Sequence, residues 1–430
     1  MAFLKKTDTA GEGRETRYSA IKVRIYPTPE QARIMDHTFA CCRYIWNKML
    51  ADEQEFYAAT GIHYIPTPAK YKKSAPFLKE ADSQALTAVH QNLQRAFQDF
   101  FSRPESSRYP VFKKRLDKGQ GQSQGQRQSQ GQEQRQGQEQ RQGQRQGPEQ
   151  RHRPEQRQGQ KCSYRTYCHH YPDGRPDSIR IEGEGIVLPK VKWVRAKLHR
   201  RPLHWWKIQD ATISKTPSGK YFCSLLFQYE VRQPEPLTPD PERTLGLKYS
   251  VTHFYVDSDG ACADPPRWMA ESAEKLAEMQ RKLSRMQPGS NNYHEQKRKI
   301  ARLYEHIANQ RLDYIHKESS RLAQSCDAVC VRSDDLTELS RRVKYGSIPD
   351  SGFGKFRECL EYKLERQGKR YIPVDRAAPT TQTCRECGSV NTELDRKNLF
   401  WTCPHCGARL SRETNAAVNI KNVGLAQCKG

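Results

Sequence analysis

The sequence predicts a mixed α+β chain of several domains, and three observations carry that prediction. Short alternating strands flank a long helical stretch in the N-terminal half. Strands interspersed with helices make an α/β unit further on. Two Cys-x-x-Cys pairs interrupt that unit near its end. A chain of 430 residues has room for two to four such units, at roughly 150 residues each.

The elements follow in order. Residues 1–19 are polar and read as a disordered leader; they lack the apolar run of a secretory signal. Ala20–Tyr26 alternates apolar and basic side chains, as a strand with one wet face does. Thr28 caps a following helix and Pro29 suits its first turn. Helical patterning continues with interruptions to about Phe101. Within it, Leu86, Val89, Leu93 and Phe97 recur at spacings of three and four and make a core face.

Residues 118–161 are a low-complexity Gln/Gly/Arg insert in which Gly-Gln-Glu-Gln-Arg-Gln occurs at 131 and again at 137. Such a segment buries too little apolar surface to offset its ordering entropy, so disorder is expected. From Cys162 to Val231 the pattern is short strands and turns. Ile179–Ile181, Gly185–Leu188 and Tyr221–Phe227 are strands, Thr216–Gly219 is a hairpin turn, and together they read as a small β-barrel. Four prolines between Arg232 and Pro241 mark a linker.

Beyond the linker, Thr244–Lys248 and Thr252–Val256 read as strands and Asp257–Gly260 as a turn. Residues 268–324 read as a helical hairpin broken at Pro288–Asn291. Leu276, Met279 and Leu283 line one arm; Ile300, Leu303 and Ile307 line the other. Ala328–Arg332 is a buried strand, Gly354–Gln367 a helix and Tyr371–Val374 a further strand.

The formal charge is +24, and such an excess points to a polyanion, nucleic acid first. The insert holds nine basic residues against four acidic ones, so the chain stays at +19 without it. No run of 18 apolar residues occurs, which excludes a membrane-spanning helix and leaves no membrane partner. Fourteen cysteines suit a reducing, cytoplasmic compartment with one metal site better than a disulfide framework.

That site is the sharpest local signal. Cys384 and Cys387, then Cys403 and Cys406, form two Cys-x-x-Cys knuckles separated by 15 residues. Four thiolates at this spacing suit one tetrahedral Zn²⁺ and leave no position open to water, so its role is structural. Gly388 and Gly407 follow the knuckles and permit their tight turns.

Landmarks along the chain carry a family resemblance: Lys22–Thr28, Pro110–Lys114, Ser163–Thr166, Leu188–Lys190, Gly289–Tyr293, Ile307–Asn309, Asp327–Val331, the four cysteines and Asn415–Ala417. Together they resemble TnpB (OrfB-like), the transposon-encoded RNA-guided nuclease related to compact type V CRISPR effectors. The resemblance covers nearly the whole chain apart from the leader and the insert. It implies a wedge β-barrel from 20–28 and 106–231, with the insert inside it, and a helical recognition lobe at 29–105. After the linker, 232–242, it implies an RNase H-like (RuvC) domain at 243–380. The zinc ribbon at 381–409 interrupts that domain, and 410–430 supplies its last helix and tail.

The family's nuclease holds two Mg²⁺ ions on three carboxylates. At the matching positions this chain has Lys248, Arg332 and Glu413; an alternative register puts Thr244 at the first. Two cations in a two-metal pocket repel Mg²⁺ and cannot coordinate it. The expectation is therefore a chain without nuclease activity and without catalytic Mg²⁺, which is no enzyme. It would bind a guide RNA, find double-stranded DNA beside a short motif, and repress transcription by occupancy. A monomer inside a cytoplasmic, nucleoid-associated ribonucleoprotein is expected. Asp257, Asp259, Asp334 and Asp335 lie nearby in sequence, and a nuclease with a displaced metal site is the alternative. An RNA-only binder is another.

Candidate nucleic-acid contacts are Lys79, Ser83, Gln84 and Gln91 on the recognition helices, whose amides and hydroxyls suit base edges. Arg281, Lys282, Arg285, Lys297, Arg298 and Arg302 on the helical hairpin suit a phosphate backbone. Trp205, Trp206 and Tyr221 suit either base stacking or the barrel core.

Overall fold

The computed structural model describes residues 14–103, 107–113, 162–232, 237–250, 253–264, 267–334, 352–395 and 398–428. The insert at 118–161, Asp335 and residues 1–13 of the expected leader lie outside them. The chain divides into two compact units. One comprises Tyr18–Tyr229 and Arg281–Ala301; the other comprises Met1–Arg17, Glu230–Gln280 and Arg302–Gly430.

The first unit is built on a seven-stranded sheet in the order β2-β6-β7-β1-β5-β4-β3. Its strands are β1 (Arg14–Tyr26), β2 (Cys162–Tyr167), β3 (Arg180–Glu182), β4 (Gly185–Leu188), β5 (Lys192–Lys197), β6 (Lys207–Lys215) and β7 (Tyr221–Arg232). The strand expected from Ala20 begins at Arg14, so part of the supposed leader is paired chain. Ile21, Val23 and Ile25 point inward while Lys22, Arg24 and Tyr26 are exposed, the alternation read from the sequence. On β7, Tyr221, Cys223, Leu225, Phe227 and Tyr229 do the same.

The expected barrel is corrected: among the described residues no pairing joins β2 to β3, and the sheet is open. The reason is strand length. β3 has three residues and β4 four, so one edge tapers before it can meet the other, and closure needs matched strands with a fixed stagger.

Two helices cover this sheet. Thr28 and Gln31 form a reciprocal capping box at the start of α1 (Pro29–Thr60). Gly61, in the left-handed region, ends it. Asp82 caps α2 (Ser83–Ser102). Leu86, Val89, Leu93 and Phe97 are buried as their spacing demands, in one core with Phe39, Ile45, Trp46 and Met49 of α1. Fully burying one such side chain contributes about 1.5–3 kcal/mol.

The second unit holds a five-stranded sheet in the order β10-β9-β8-β11-β12. β8 (Thr244–Tyr249), β11 (Ala328–Arg332) and β12 (Arg370–Val374) are parallel; β9 (Tyr255–Asp257) and β10 (Cys262–Ala263) continue antiparallel. The helices in chain order are α3 (Trp268–Glu271), α4 (Ala273–Ser284), α5 (Asn291–Ser325), α6 (Phe353–Arg366) and α7 (Arg412–Gln427).

The unbroken apolar run Ala328–Val331 is explained by burial on both faces. Val329 and Val331 pack with Ile315, Leu322, Phe356 and Leu360 of α5 and α6. Ala328 and Cys330 pack with Ile420 of α7. Helix α7 lies close against β8. A Cβ on Gly246 would stand 2.1 Å from the Ala417 carbonyl oxygen, so only glycine fits there. A short hairpin, β13 (Phe400–Thr402) with β14 (Arg409–Ser411), leads directly into α7.

Candidate functional site

The parallel register sets Leu247 opposite Val331, so Lys248 and Arg332 stand side by side at the C-terminal ends of β8 and β11. Glu413 reaches the same place from the first turn of α7. The three residues matched to the family's carboxylate positions are thus brought together. Their surroundings decide what they can do.

The Lys248 ammonium donates to the Tyr249 carbonyl at 2.8 Å. Burial holds its pKa below the usual lysine value, and the neighbouring Arg332 adds to that; Asp334 and Glu413 oppose it. Arg332 donates twice to one carboxylate oxygen of Asp334, from Nε at 2.8 Å and from its terminal nitrogen at 2.7 Å. Asp334 is itself buried. Glu413 accepts from the buried Ser250 hydroxyl at 2.7 Å. Each carboxylate therefore already has a partner, and the cluster carries two cations against two anions.

The other nearby carboxylates behave differently. Asp257 is buried and spends one oxygen on the amides of Asp259 and Ala261, at 3.1 and 2.8 Å, holding its own turn; burial pushes its pKa up. Asp259 is exposed.

The four cysteines converge. Cys384 and Cys406 sulfurs are 3.7 Å apart, as are those of Cys387 and Cys403, and all four lie within 4.8 Å of one another. A tetrahedron with 2.3 Å metal–sulfur bonds has edges of about 3.8 Å, so the donor set fits Zn²⁺. The two knuckles are built alike. Gly388 N–H donates to Cys384 O and Cys384 N–H to Ser389 O; Gly407 N–H donates to Cys403 O and Cys403 N–H to Ala408 O. Gly388 and Gly407 both take positive φ. Trp401 and Leu410 pack beneath the sulfurs.

Two asparagines tie this module to α7. Asn415 accepts from the Arg385 amide at 2.9 Å and donates to Thr383 O at 2.8 Å. Asn419, one turn later, donates to Thr380 O and Thr383 O at 2.9 and 2.7 Å. Reading the sequence for chemistry missed this role. Its signal is the spacing of four, which puts both amides on one helix face.

In the other unit, Lys79 and Ser83 are exposed. Gln84 lies 2.6 Å from the His169 ring and Gln91 accepts from the Tyr167 hydroxyl at 2.5 Å. Both amides, expected to face bases, hold α2 against the end of β2. Asp82 joins them by accepting from Thr166. Trp206 is stacked on Tyr229, with centroids 4.1 Å apart and planes 9° apart, and Tyr221 is buried; both are core. Trp205 is 51% exposed. Arg281 and Lys282 on α4, Arg285 just after it, and Lys297 and Arg298 on α5 are all exposed, as is Arg302 further along α5, which falls in the unit of the five-stranded sheet.

Three family models match the chain. Residues 226–340 match "Probable transposase" of the OrfB IS605 type, residues 353–420 match "Cas12f1-like, TNB domain", and residues 17–61 match "Helix-turn-helix domain". The last span forms β1 and the single helix α1 here. A Streptomyces pristinaespiralis protein named "Putative RNA-guided DNA endonuclease" is 28% identical, covering 95% of this chain and 89% of its own length. InsQ of Escherichia coli K12, named in the same words, is 27% identical over 95% and 93%. Among solved structures, the Cas12f1-sgRNA-target DNA complex aligns over 95% of this chain and 99% of that one, with TM-score 0.51 and 12% identity; it shares the fold. These relatives correct the expectation that the chain is no enzyme. Two proteins matched along almost its entire length carry an enzyme's name, and the similarity points to an enzyme.

Proposed function

Because this chain belongs to the TnpB/OrfB_IS605 family, we propose that it is an RNA-guided DNA-targeting protein. It binds a guide RNA, finds double-stranded DNA beside a short motif, and represses transcription by residing there. On this reading the five-stranded sheet with α7 is a RuvC-type domain, and the four cysteines hold a structural Zn²⁺. The helical hairpin follows a phosphate backbone.

The observation that carries the repressor reading is the strand-end cluster. Lys248 and Arg332 stand where the resemblance puts metal-binding carboxylates, and the two carboxylates beside them are already engaged by Arg332 and Ser250, which suits a protein that acts by staying on its target. Similarity along the chain to proteins named as RNA-guided supports guide RNA and DNA as ligands. The test is to sequence the RNA that copurifies with the protein and place its matched target in a reporter promoter. Expression should fall with the matched guide and recover with a scrambled one. Absence of a discrete copurifying RNA, or expression indifferent to the guide, overturns the proposal.

The relatives' names favour a second reading, an RNA-guided DNA endonuclease whose metal site has moved. The carboxylates at hand are Asp334 and Glu413, with Asp257 on the neighbouring strand. Arg332 would have to release Asp334, and Ser250 would have to turn from Glu413, before either could take a divalent ion. Scission of matched duplex in Mg²⁺ or Mn²⁺ that disappears in Asp334→Ala or in Asp257→Ala marks this reading; no scission in either metal excludes it.

A further inference from the structure

The loop between β2 and β3 brings together a thiol, an imidazole and a carboxylate far in sequence from the four cysteines. Cys168 Sγ, a His170 ring nitrogen and an Asp177 carboxylate oxygen all lie within 4.8 Å of one another. Backbone stitching produces this. Cys168 N–H donates to Gln209 O at 2.8 Å, fixing the near end of the loop on β6. Ser178 N–H donates to His169 O at 3.1 Å, and His169 N–H donates to the Ser178 hydroxyl at 2.8 Å. With 169 and 178 locked opposite each other, the flanking residues 168, 170 and 177 are held on facing chains.

The loop carries arginines, yet they leave the Asp177 carboxylate alone. Arg175 is held by Asp173 at 2.8 Å. Arg180 reaches only the backbone oxygen of Asp177, at 3.1 Å, and pairs its Nε with Glu182. The Asp177 side chain meets His170 Nδ1, at 2.8 Å.

We propose that Cys168, His170 and Asp177 form a second metal site that takes one Zn²⁺ or a similar borderline divalent cation. One sulfur, one nitrogen and one oxygen donor suit such an ion, whereas a thiolate does not suit Mg²⁺ or Ca²⁺. Binding releases the Cys168 thiol proton to solvent, and His170 presents its coordinating nitrogen unprotonated, the ring proton passing to the other nitrogen by exchange with water. The nitrogen–oxygen separation opens to about 3.3 Å, the tetrahedral edge for bonds near 2.0 Å. Three protein ligands leave a fourth position for water. The bound ion cross-links the two sides of the loop, and the His169–Gln84 contact passes that order to the start of α2.

The test uses the full chain, stripped with chelator, dialysed free of it and titrated with Zn²⁺, with metal counted by elemental analysis. The expectation is a second ion per chain beyond the one on the four cysteines. That ion disappears in the double variant Cys168→Ser, Asp177→Asn and persists in Cys384→Ser. If the four cysteines hold nothing, the remaining ion still depends on Cys168 and Asp177, so the two sites fail separately. Titration with Co²⁺ gives an independent signature, because this site supplies one thiolate and the other four. Thiolate-to-cobalt absorption per ion should be about a quarter as strong.

Hydrogen exchange of the unmodified chain needs no variant to fold. Amides of residues 168–179 should slow by tenfold or more when Zn²⁺ is added. No slowing there, or a second ion that survives the double variant, overturns the proposal.

Discussion

Replacing Asn415 with Ala tests how the four-cysteine module is fixed to the helix that carries Glu413. The side chain is 1% exposed and makes two hydrogen bonds, to Arg385 N–H and to Thr383 O. Their losses are unequal. Thr383 O keeps Asn419 at 2.7 Å, so one ordinary bond disappears there, worth about 1 kcal/mol. Arg385 N–H loses its acceptor at a half-buried contact, where water can partly replace it, and that costs about 1 kcal/mol. The sum is about 2 kcal/mol, felt locally between the module and α7.

A chain of two units need not unfold in one step, so a global midpoint is the wrong readout. Hydrogen exchange resolved to peptides is the right one. At about 1.4 kcal/mol per tenfold, the Arg385 amide should exchange about 30 times faster in Asn415→Ala. Asn415→Asp keeps the acceptor for Arg385 but sets an anionic oxygen against Thr383 O, and should fall between Ala and the parent. Unchanged exchange at 383–387 in the Ala variant would refute the reasoning, because the anchor would then lie elsewhere.

Gly246→Ala should lower stability by at least about 1–3 kcal/mol, since its Cβ meets helix backbone that cannot rotate away; a thermal midpoint within error of the parent contradicts the close approach. Lys248→Met should raise stability at neutral pH. The folded chain holds the Lys248 proton more weakly than the unfolded one, so the parent lacks stability at pH 7. It regains it as pH rises from the lowered folded pKa toward 10.5, the ordinary lysine value. The difference between variant and parent should shrink over that range in urea titrations, and a constant difference rules out the buried charge as its cause. Cys384→Ser should remove the ion from the four-cysteine site and speed exchange across 381–409, because folding there is coupled to metal; full zinc occupancy in that variant disproves the ligand set.

Much of this fold was legible because periodicity reports burial directly. The inward side chains of β1, the buried face of α2 and the unbroken apolar strand β11 each follow from spacing alone. Sheet closure was not legible: it depends on whether β2 and β3 meet, and neither strand's residues encode its distant neighbour. β10 escaped notice because two residues carry no period. At the site, resemblance to family motifs singled out Lys248, Arg332 and Glu413, and the fold brings the three together. Their partners Ser250 and Asp334 come from side-chain geometry, which no linear pattern states. Gln84 and Gln91 show the converse limit. A polar residue on a wet helix face looks unengaged, and only the fold reveals that it also bonds to the adjacent strand end.

The pairing within the strand-end cluster has an evolutionary consequence. Arg332 is satisfied by Asp334 two residues along its own segment, and Glu413 by Ser250, while the apolar layers on either side of the sheet use none of these groups. The framework thus asks little of whatever occupies these positions beyond a local counterpart. A lineage can rewrite the charge at the strand ends in a few steps and keep the strands, the helix and the cysteine module in register. Chemistry at this place is replaceable in a way that Gly246 and Asn415, a few residues away, are not.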